Sequence, residues 1–136
     1  MITLTFPIKP LAKQSYRHNR NGMRYLDPAV IGFRDAVKWM SVQQLPPDHK
    51  LLDHAVKVCI DYVFQFTKSL PAATRRQICE GNMLIYKPTK PDLDNLTKAI
   101  FDALNGVVWV DDALVVSLTA NKWYGDRDQI TVNIEL

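Results

Sequence analysis

Cysteine is scarce in this chain of 136 residues. Its two cysteines, Cys59 and Cys79, are too few and too far apart in sequence to form a disulfide framework. A zinc site that combines Cys59 with His49 and His54 is disfavoured, because none of these residues has the paired Cys or His spacing of zinc sites. The scarcity of cysteine indicates a reducing compartment, and we expect a cytoplasmic protein.

Long hydrophobic runs are also lacking. No window approaches the roughly 18 unbroken apolar residues of a membrane-spanning helix. The first residues, "MITLTFPIKP", alternate polar and apolar side chains, which is not the pattern of a signal peptide. We therefore expect a soluble protein with no membrane partner. The length, the 47% of apolar residues and the absence of repeats predict a single domain over residues 1–136.

Acidic residues are missing from two stretches of this net-basic chain. Residues 7–26 contain no acid and residues 68–90 contain Glu80 alone. The acids then gather downstream, at Asp92, Asp94, Asp102, Asp111 and Asp112. Basic flanks around an acidic centre suit a polyanionic ligand with a cation held at the point of chemistry. Solvated surface charge is the alternative explanation.

Alternating apolar residues predict the strands. They mark residues 2–6 and 56–66, each with one buried face. Alternation from residue 114 and again from residue 130, around turn residues 125–128, predicts a C-terminal β-hairpin.

Capping residues and helical spacing predict the helices. Asp27 before Pro28 begins a helix over about 28–43. A second helix covers about 94–105, and residues 70–81 suit a short helix or lid. Asn21-Gly22 predicts a turn, either in an extended basic hairpin or in a loop. The predicted fold class is α+β, a small mixed β-sheet packed by two main helices.

The stretch "KPDLDNLTKAIFDALNG" places two carboxylates where extended chain becomes helix. Pro91 cannot lie inside the helix, so Asp92 and Asp94 lie at its start and can face one site. Capping is the alternative: an N-terminal Asp is worth about 1 kcal/mol, and a surface pair of Asp94 with Lys98 about 0.3–0.5 kcal/mol. Taken alone, this stretch favours capping.

A second acidic pair changes that balance. Asp111 and Asp112 follow the apolar run "VVWV", and adjacent carboxylates repel each other unless they are solvated or bridged by a cation. One helix and one turn could return this pair beside Asp92 and Asp94. Mg²⁺ takes oxygen ligands and shares them with phosphates, so convergent carboxylates beside a lysine suit phosphodiester hydrolysis.

Two segments resemble the RusA-type Holliday junction resolvases. "PDLDNLTKAIFDALNGVVWVDDALVVSL" resembles the family core, in which a D-L-D-N-x-x-K helix precedes "FDAL" and a W-x-D-D element. "SYRHNRNGMRYLDPAVIGFRD" resembles the family's basic segment and the helix after it. The resemblance covers most of the chain and leaves out chiefly residues 44–90.

The resemblance implies a catalytic site. Asp92, Asp94 and Asp112 match the metal-binding carboxylates, and Lys98 matches the catalytic lysine. Asp111 is a further candidate ligand, because "NGVVWV" is slightly shorter than the equivalent connection in the family. The implied cofactor is Mg²⁺, for which Mn²⁺ can substitute. The implied assembly is a C2 homodimer that nicks opposed strands of a four-way DNA junction in recombination and repair.

The basic segments are the predicted DNA-binding surface. The candidate residues are Lys13, Tyr16, Arg17, His18, Arg20, Arg24, Arg75 and Arg76. Tyr16 and Tyr25 suit stacking on bases, with burial as the alternative. The three tryptophans, Trp39, Trp109 and Trp123, are assigned to the core.

Two other functions compete with a resolvase. A non-catalytic nucleic-acid-binding module would bind without metal and would not cleave. A Mg²⁺-dependent nucleotide phosphohydrolase would cleave small substrates, and the broad basic segments argue against it because a nucleotide needs fewer cations.

Overall fold

The computed structural model describes residues 1–13, 17–81 and 84–136, and of residues 17 and 18 it describes the main chain. In chain order the elements are β1 (Ile2–Phe6), β2 (Arg17–His18), β3 (Arg24–Tyr25), α1 (Pro28–Gln44), β4 (Val56–Gln65), α2 (Ala72–Cys79), β5 (Ile85–Tyr86), α3 (Leu93–Leu104), β6 (Val115–Gly125) and β7 (Gln129–Glu135). The predicted α+β class is confirmed.

The chain divides into two compact units, and neither is continuous in sequence. The sheet unit contains residues 1–10, 56–90 and 115–136. The helical unit contains residues 11–55 and 91–114. The prediction of a single domain stays a prediction. No helix in the described part of the chain is both long and apolar enough to cross a bilayer.

The sheet unit is built around β4. The strand order is β1-β7-β4-β6-β5, and β4 runs parallel to β6 and antiparallel to β7. Ile60 in β4 lies opposite Ala120 on one side and Val132 on the other. Every second side chain of β4 is buried, as the alternation of residues 56–66 predicted.

At one end of the strand order, β5 pairs antiparallel with β6, and Ile85 lies opposite Tyr124. The last two strands were predicted to pair with each other, and both form on either side of the predicted turn. They instead flank β4, which lies between them in the sheet. A central strand forms ladder hydrogen bonds along both of its edges. In β4, one edge pairs with β6 and the other pairs with β7.

The helical unit is built on α1 and α3, which pack against each other. The predicted cap is present, because Asp27 Oδ1 accepts a hydrogen bond from the Ala29 amide at 2.8 Å and Pro28 is the first helical residue. The helix ends at Gln44, and its C-cap residue Leu45 precedes two prolines. The buried face of α3 includes Leu96 and Ile100, and the bounds of both helices match their predictions to within one residue.

The three tryptophans differ in burial. Trp109 is fully buried, as predicted. Trp123 is half-buried and stacks on Tyr86, with ring centroids 4.2 Å apart. The assignment of Trp39 to the core is wrong, because this side chain is 66% exposed. It follows buried Val37 by two residues, and two residues turn a helix about 200°, onto the opposite face.

Candidate active site

The start of α3 carries the first acidic pair. Asp92 occupies the N-cap position with extended backbone angles, φ −70° and ψ 141°, but its side chain makes no capping hydrogen bond. Asp27 at the start of α1 does make one. Asp92 is half-buried and Asp94 is exposed. The capping explanation of this stretch therefore lacks the hydrogen bond on which it depends.

Lys98 lies one turn after Asp94 on the same face of α3, because residues four apart are neighbours on a helix. Both side chains are exposed. In the part of the chain that the structure describes, the ion pair on this face joins Asp102 to Lys13, with Oδ2 and Nζ 2.6 Å apart, rather than Asp94 to Lys98. A phosphate or a cation can thus approach Asp94 and Lys98 from solvent.

The members of the second acidic pair make different contacts. Asp111 is exposed, and its Oδ2 accepts a hydrogen bond from the Ala113 amide at 3.0 Å, which closes a local turn. Asp112 is half-buried and begins a short 3-10 helix. Its Oδ2 accepts a hydrogen bond from Asn105 Nδ2 at 3.2 Å. Asp111 is therefore engaged with its own turn, whereas Asp112 is held against the end of α3.

The two acidic pairs lie at opposite ends of α3. The helix has 12 residues and is therefore about 18 Å long. Asp92 lies at the N-terminal end of the helix, and Asp112 is hydrogen-bonded to Asn105 at the C-terminal end. Oxygens that share one Mg²⁺ lie within about 4 Å of each other. The structure does not bring the pairs together in one chain, and its described residues contain no cluster of three or more His, Cys, Asp or Glu that could hold a metal.

The basic segment begins against α3. The Lys13 amide donates a hydrogen bond to the Asn95 carbonyl at 3.0 Å, next to Asp94. The segment then forms the predicted hairpin, in which β2 pairs with β3. Asn19 Oδ1 accepts hydrogen bonds from the Asn21 and Met23 amides, each 2.9 Å long, and so holds the turn. The basic segment is thereby bonded, at Lys13, to the helix that carries the first acidic pair.

The predicted DNA-binding residues differ in their surroundings. Arg20 and Arg24 are exposed in the hairpin, and Tyr25 is 42% exposed, so Tyr25 is not buried. Lys13 is occupied by its ion pair with Asp102. Tyr16 and the side chains of Arg17 and His18 lie outside the described residues.

Arg75 and Arg76 belong to α2 of the sheet unit. Arg76 is exposed and Arg75 is half-buried. The other described candidates, Lys13, Arg20 and Arg24, belong to the helical unit, as do all four predicted metal ligands.

Sequence reasoning missed Asn105. It predicted the stop of α3 there and nothing more, yet the Asn105 amide also contacts two side chains. Its Oδ1 accepts a hydrogen bond from Trp109 Nε1 at 2.7 Å, and its Nδ2 donates to Asp112. The order Asn105, Trp109, Asp112 is visible in the sequence, but the turn that brings the three together is not.

Comparison with known proteins agrees with the motifs. The family model described as endodeoxyribonuclease RusA matches residues 6–135, which includes residues 44–90. An uncharacterised protein of Bacillus subtilis strain 168, YqaN, is 29% identical over 117 residues, which are 85% of this chain and 81% of that protein. The match to the family model therefore covers both the basic hairpin and the acidic pairs. The chain belongs to the RusA endodeoxyribonuclease family.

Proposed function

We propose that this protein is a Mg²⁺-dependent, structure-selective endonuclease that resolves four-way DNA junctions by paired symmetric nicks, in DNA recombination and repair. One observation carries the proposal. The start of α3 presents Asp92, Asp94 and Lys98, with the basic segment bonded to the same helix at Asn95, in a member of an endodeoxyribonuclease family.

The donor set fits Mg²⁺. Asp92, Asp94 and Asp112 offer carboxylate oxygens, which are the ligands that Mg²⁺ takes and that Mn²⁺ shares. Asp111 is a weaker candidate because its Oδ2 already closes a turn. When bound, Mg²⁺ would polarise the scissile phosphate and assist attack by water. Lys98, exposed one turn from Asp94, would stabilise negative charge on the phosphate in the transition state.

A second copy of the chain would complete the site. The two acidic pairs are separated by the length of α3, so a single copy cannot place both on one ion. In a C2 dimer each pair occurs twice, and Asp92 and Asp94 of one copy can share an ion with Asp112 of the partner subunit. A four-way junction has approximate two-fold symmetry, so two such sites suit two opposed nicks.

The basic residues would hold the DNA backbone. Arg20 and Arg24 are exposed on the hairpin of the basic segment, and the main chain of Arg17 and His18 belongs to the same hairpin. Earlier in this segment, the Lys13 amide is bonded to α3. Phosphate contacts of this kind position DNA without reading its sequence. Arg75 and Arg76 are further candidates, and Tyr25 is exposed enough to stack on a base.

Cleavage of a labelled four-way junction tests the proposal. The matched substrates are the linear duplex and the single strand, each with Mg²⁺ and with EDTA. The variants are Asp94→Asn and, as a control, Asp48→Asn, which changes an exposed aspartate outside the two acidic pairs. We expect paired nicks on the junction alone, from wild type and Asp48→Asn, and none with EDTA or with Asp94→Asn, which still binds the junction.

Two results would favour the competing functions. Tight junction binding without nicking by the wild type would indicate a non-catalytic binding module. Release of phosphate from nucleotides, with the junction left intact, would indicate a nucleotide phosphohydrolase.

A further inference from the structure

The amide of Asn105 lies between a buried donor and the acidic pair that follows it. Trp109 Nε1 donates to Asn105 Oδ1 at 2.7 Å, and Asn105 Nδ2 donates to Asp112 Oδ2 at 3.2 Å. An indole N–H can only donate, so the amide oxygen must face Trp109. The NH₂ group must then face Asp112. The orientation of the amide is thus set by Trp109 and passed on to the carboxylate.

The residues that set this orientation are firmly held. Trp109 is fully buried and meets the Phe101 ring edge to face, with centroids 5.6 Å apart at 84°. Leu52 bonds to the main chain on both sides of Trp109, donating to the Val108 carbonyl and accepting from the Val110 amide, each at 3.0 Å.

The main chain of Asn105 is anchored as well. Its amide donates to the Phe101 carbonyl at 3.0 Å, and its carbonyl accepts from Lys38 Nζ of α1 at 3.4 Å. With both its backbone and its side chain bonded, Asn105 has little freedom to turn away from Asp112.

We propose that Asn105 is a positioning residue for the metal. It would fix the orientation of the Asp112 carboxylate by donating to Oδ2, and it would do so with a neutral donor that leaves the carboxylate charge intact for a cation. The inference rests on the proposed function, in which Asp112 is a ligand. It also distinguishes the two adjacent acids, because Asp111 Oδ2 accepts a hydrogen bond from the Ala113 amide of its own turn, whereas Asp112 Oδ2 accepts one from Asn105.

The test is direct binding of Mn²⁺, followed by the electron paramagnetic resonance signal of the free ion. Asn105→Ala should bind Mn²⁺ about 10–100-fold more weakly than wild type, the usual effect of losing a partner of a metal ligand. Its half-saturating Mg²⁺ concentration in junction cleavage should rise by a similar factor. Junction binding in EDTA should not change, because Asn105 contacts no DNA in this proposal.

Two further variants separate positioning from folding. Asn105→Ala leaves the buried Trp109 N–H without its acceptor, which can itself unfold the loop. The double variant Asn105→Ala/Trp109→Phe removes that donor and should keep the weak Mn²⁺ binding while recovering thermal stability. The matched control is Asn121→Ala, which removes a similar asparagine bond, to Asp61 at 3.4 Å, in the sheet unit. It should bind Mn²⁺ like wild type.

Each contrary result has a distinct meaning. Wild-type Mn²⁺ affinity in the double variant, together with its loss in Asp112→Asn, would overturn the role of Asn105 and leave the proposed function intact. Equal losses in Asn121→Ala and Asn105→Ala would also overturn it, because the effect would then be one of general destabilisation. Wild-type affinity and nicking in Asp112→Asn would instead overturn the assignment of Asp112 in the proposed function.

Discussion

At the scale of single residues, the aspartates of this chain show how placement decides what a carboxylate does. Asp27 accepts a hydrogen bond from a helix amide, Asp111 accepts one from a turn amide, and Asp102 pairs with Lys13. Asp94 is exposed at the start of α3. The first three contribute to the fold, and the fourth is the one to which we assign a ligand in the proposed function.

The Asp27 cap should be measurable in stability. Asp27→Ala removes the acceptor for the Ala29 amide and should lower the free energy of unfolding by about 1 kcal/mol. Asp27→Asn keeps a good cap and should recover most of that loss. Urea denaturation of the two variants and wild type measures both effects. Equal losses in the two variants would show that charge, rather than capping, is what Asp27 supplies.

The two cysteines should differ in reactivity. Burial raises the pKa of the Cys59 thiol, and the nearby Asp61 carboxylate raises it further. Because the thiolate is the reactive form, a raised pKa means less thiolate at a given pH. Cys79 is exposed on α2, so iodoacetamide at about pH 8 should modify Cys79 well before Cys59.

A Cys79→Ser variant isolates the slow thiol. In this variant, the rate at which iodoacetamide modifies Cys59 should increase as the pH rises toward the pKa of Cys59. A rate for Cys59 equal to that of Cys79 in the wild type would contradict its partial burial.

At the scale of the elements, two glycines form a matched pair. A Cβ on Gly125, at the end of β6, would overlap Val63 Cγ1 in the neighbouring strand, and Gly125 is buried. Gly32 is exposed inside α1 and has no atom within 4 Å of such a Cβ. The same substitution should therefore have opposite effects at the two positions.

Gly125→Ala should destabilise the protein by about 1–3 kcal/mol, since valine is stiff and β4 must shift to admit the new methyl. Gly32→Ala should stabilise it by about 0.5–1 kcal/mol through helix propensity. Thermal or urea unfolding of both variants decides the matter. Stabilisation by Gly125→Ala would mean that β6 and β4 are less closely packed here than the structure has them.

Local signals in the sequence predicted the elements well, and long-range arrangement was beyond them. Asp27 marked the start of α1 and the paired prolines marked its end. The alternation of residues 56–66 predicted β4. No local pattern in the sequence shows that β4 lies between β6 and β7, because that pairing joins residues far apart in sequence. Likewise, the positions of the acids in the sequence made Asp92, Asp94, Asp111 and Asp112 candidates. They do not show the turn after α3 that sets Asp112 against Asn105, because this turn contains the buried Trp109 and its long-range contacts.

At the scale of the whole molecule, the proposed sharing of each active site between two copies predicts how mixtures of variants behave. Asp94→Asn and Asp112→Asn proteins should each be inactive alone. When the two chains are co-expressed with different tags, one site of each mixed dimer keeps all its native carboxylates. Mixing should therefore restore single nicks.

A mixture of Asp94→Asn with Lys98→Ala is the matched control. Both changes lie at the same end of α3, so every site in the mixed dimer carries a defect and no nicking should return. Failure of the first mixture to nick, with mixed dimers demonstrated by their tags, would place each complete site within one copy.

Salt dependence should report which cations meet DNA. Each phosphate contact contributes about 0.9 to the slope of log affinity against log salt. Arg20→Gln should reduce that slope by about this amount, whereas Lys13→Gln should change it less, because Lys13 is paired with Asp102. Fluorescence anisotropy of a labelled junction in EDTA measures both slopes. A larger effect of Lys13→Gln would mean that its ion pair opens when DNA binds.

The position of β7 between β1 and β4 bears on how the chain folds during synthesis. β1 and β4 are made early, yet each takes β7, residues Gln129–Glu135, as a ladder partner. Until these residues leave the ribosome, both earlier strands have exposed edges, which readily pair with other chains. The sheet therefore closes as a late event, and a ribosome stalled before residue 129 would leave an aggregation-prone intermediate that depends on chaperones.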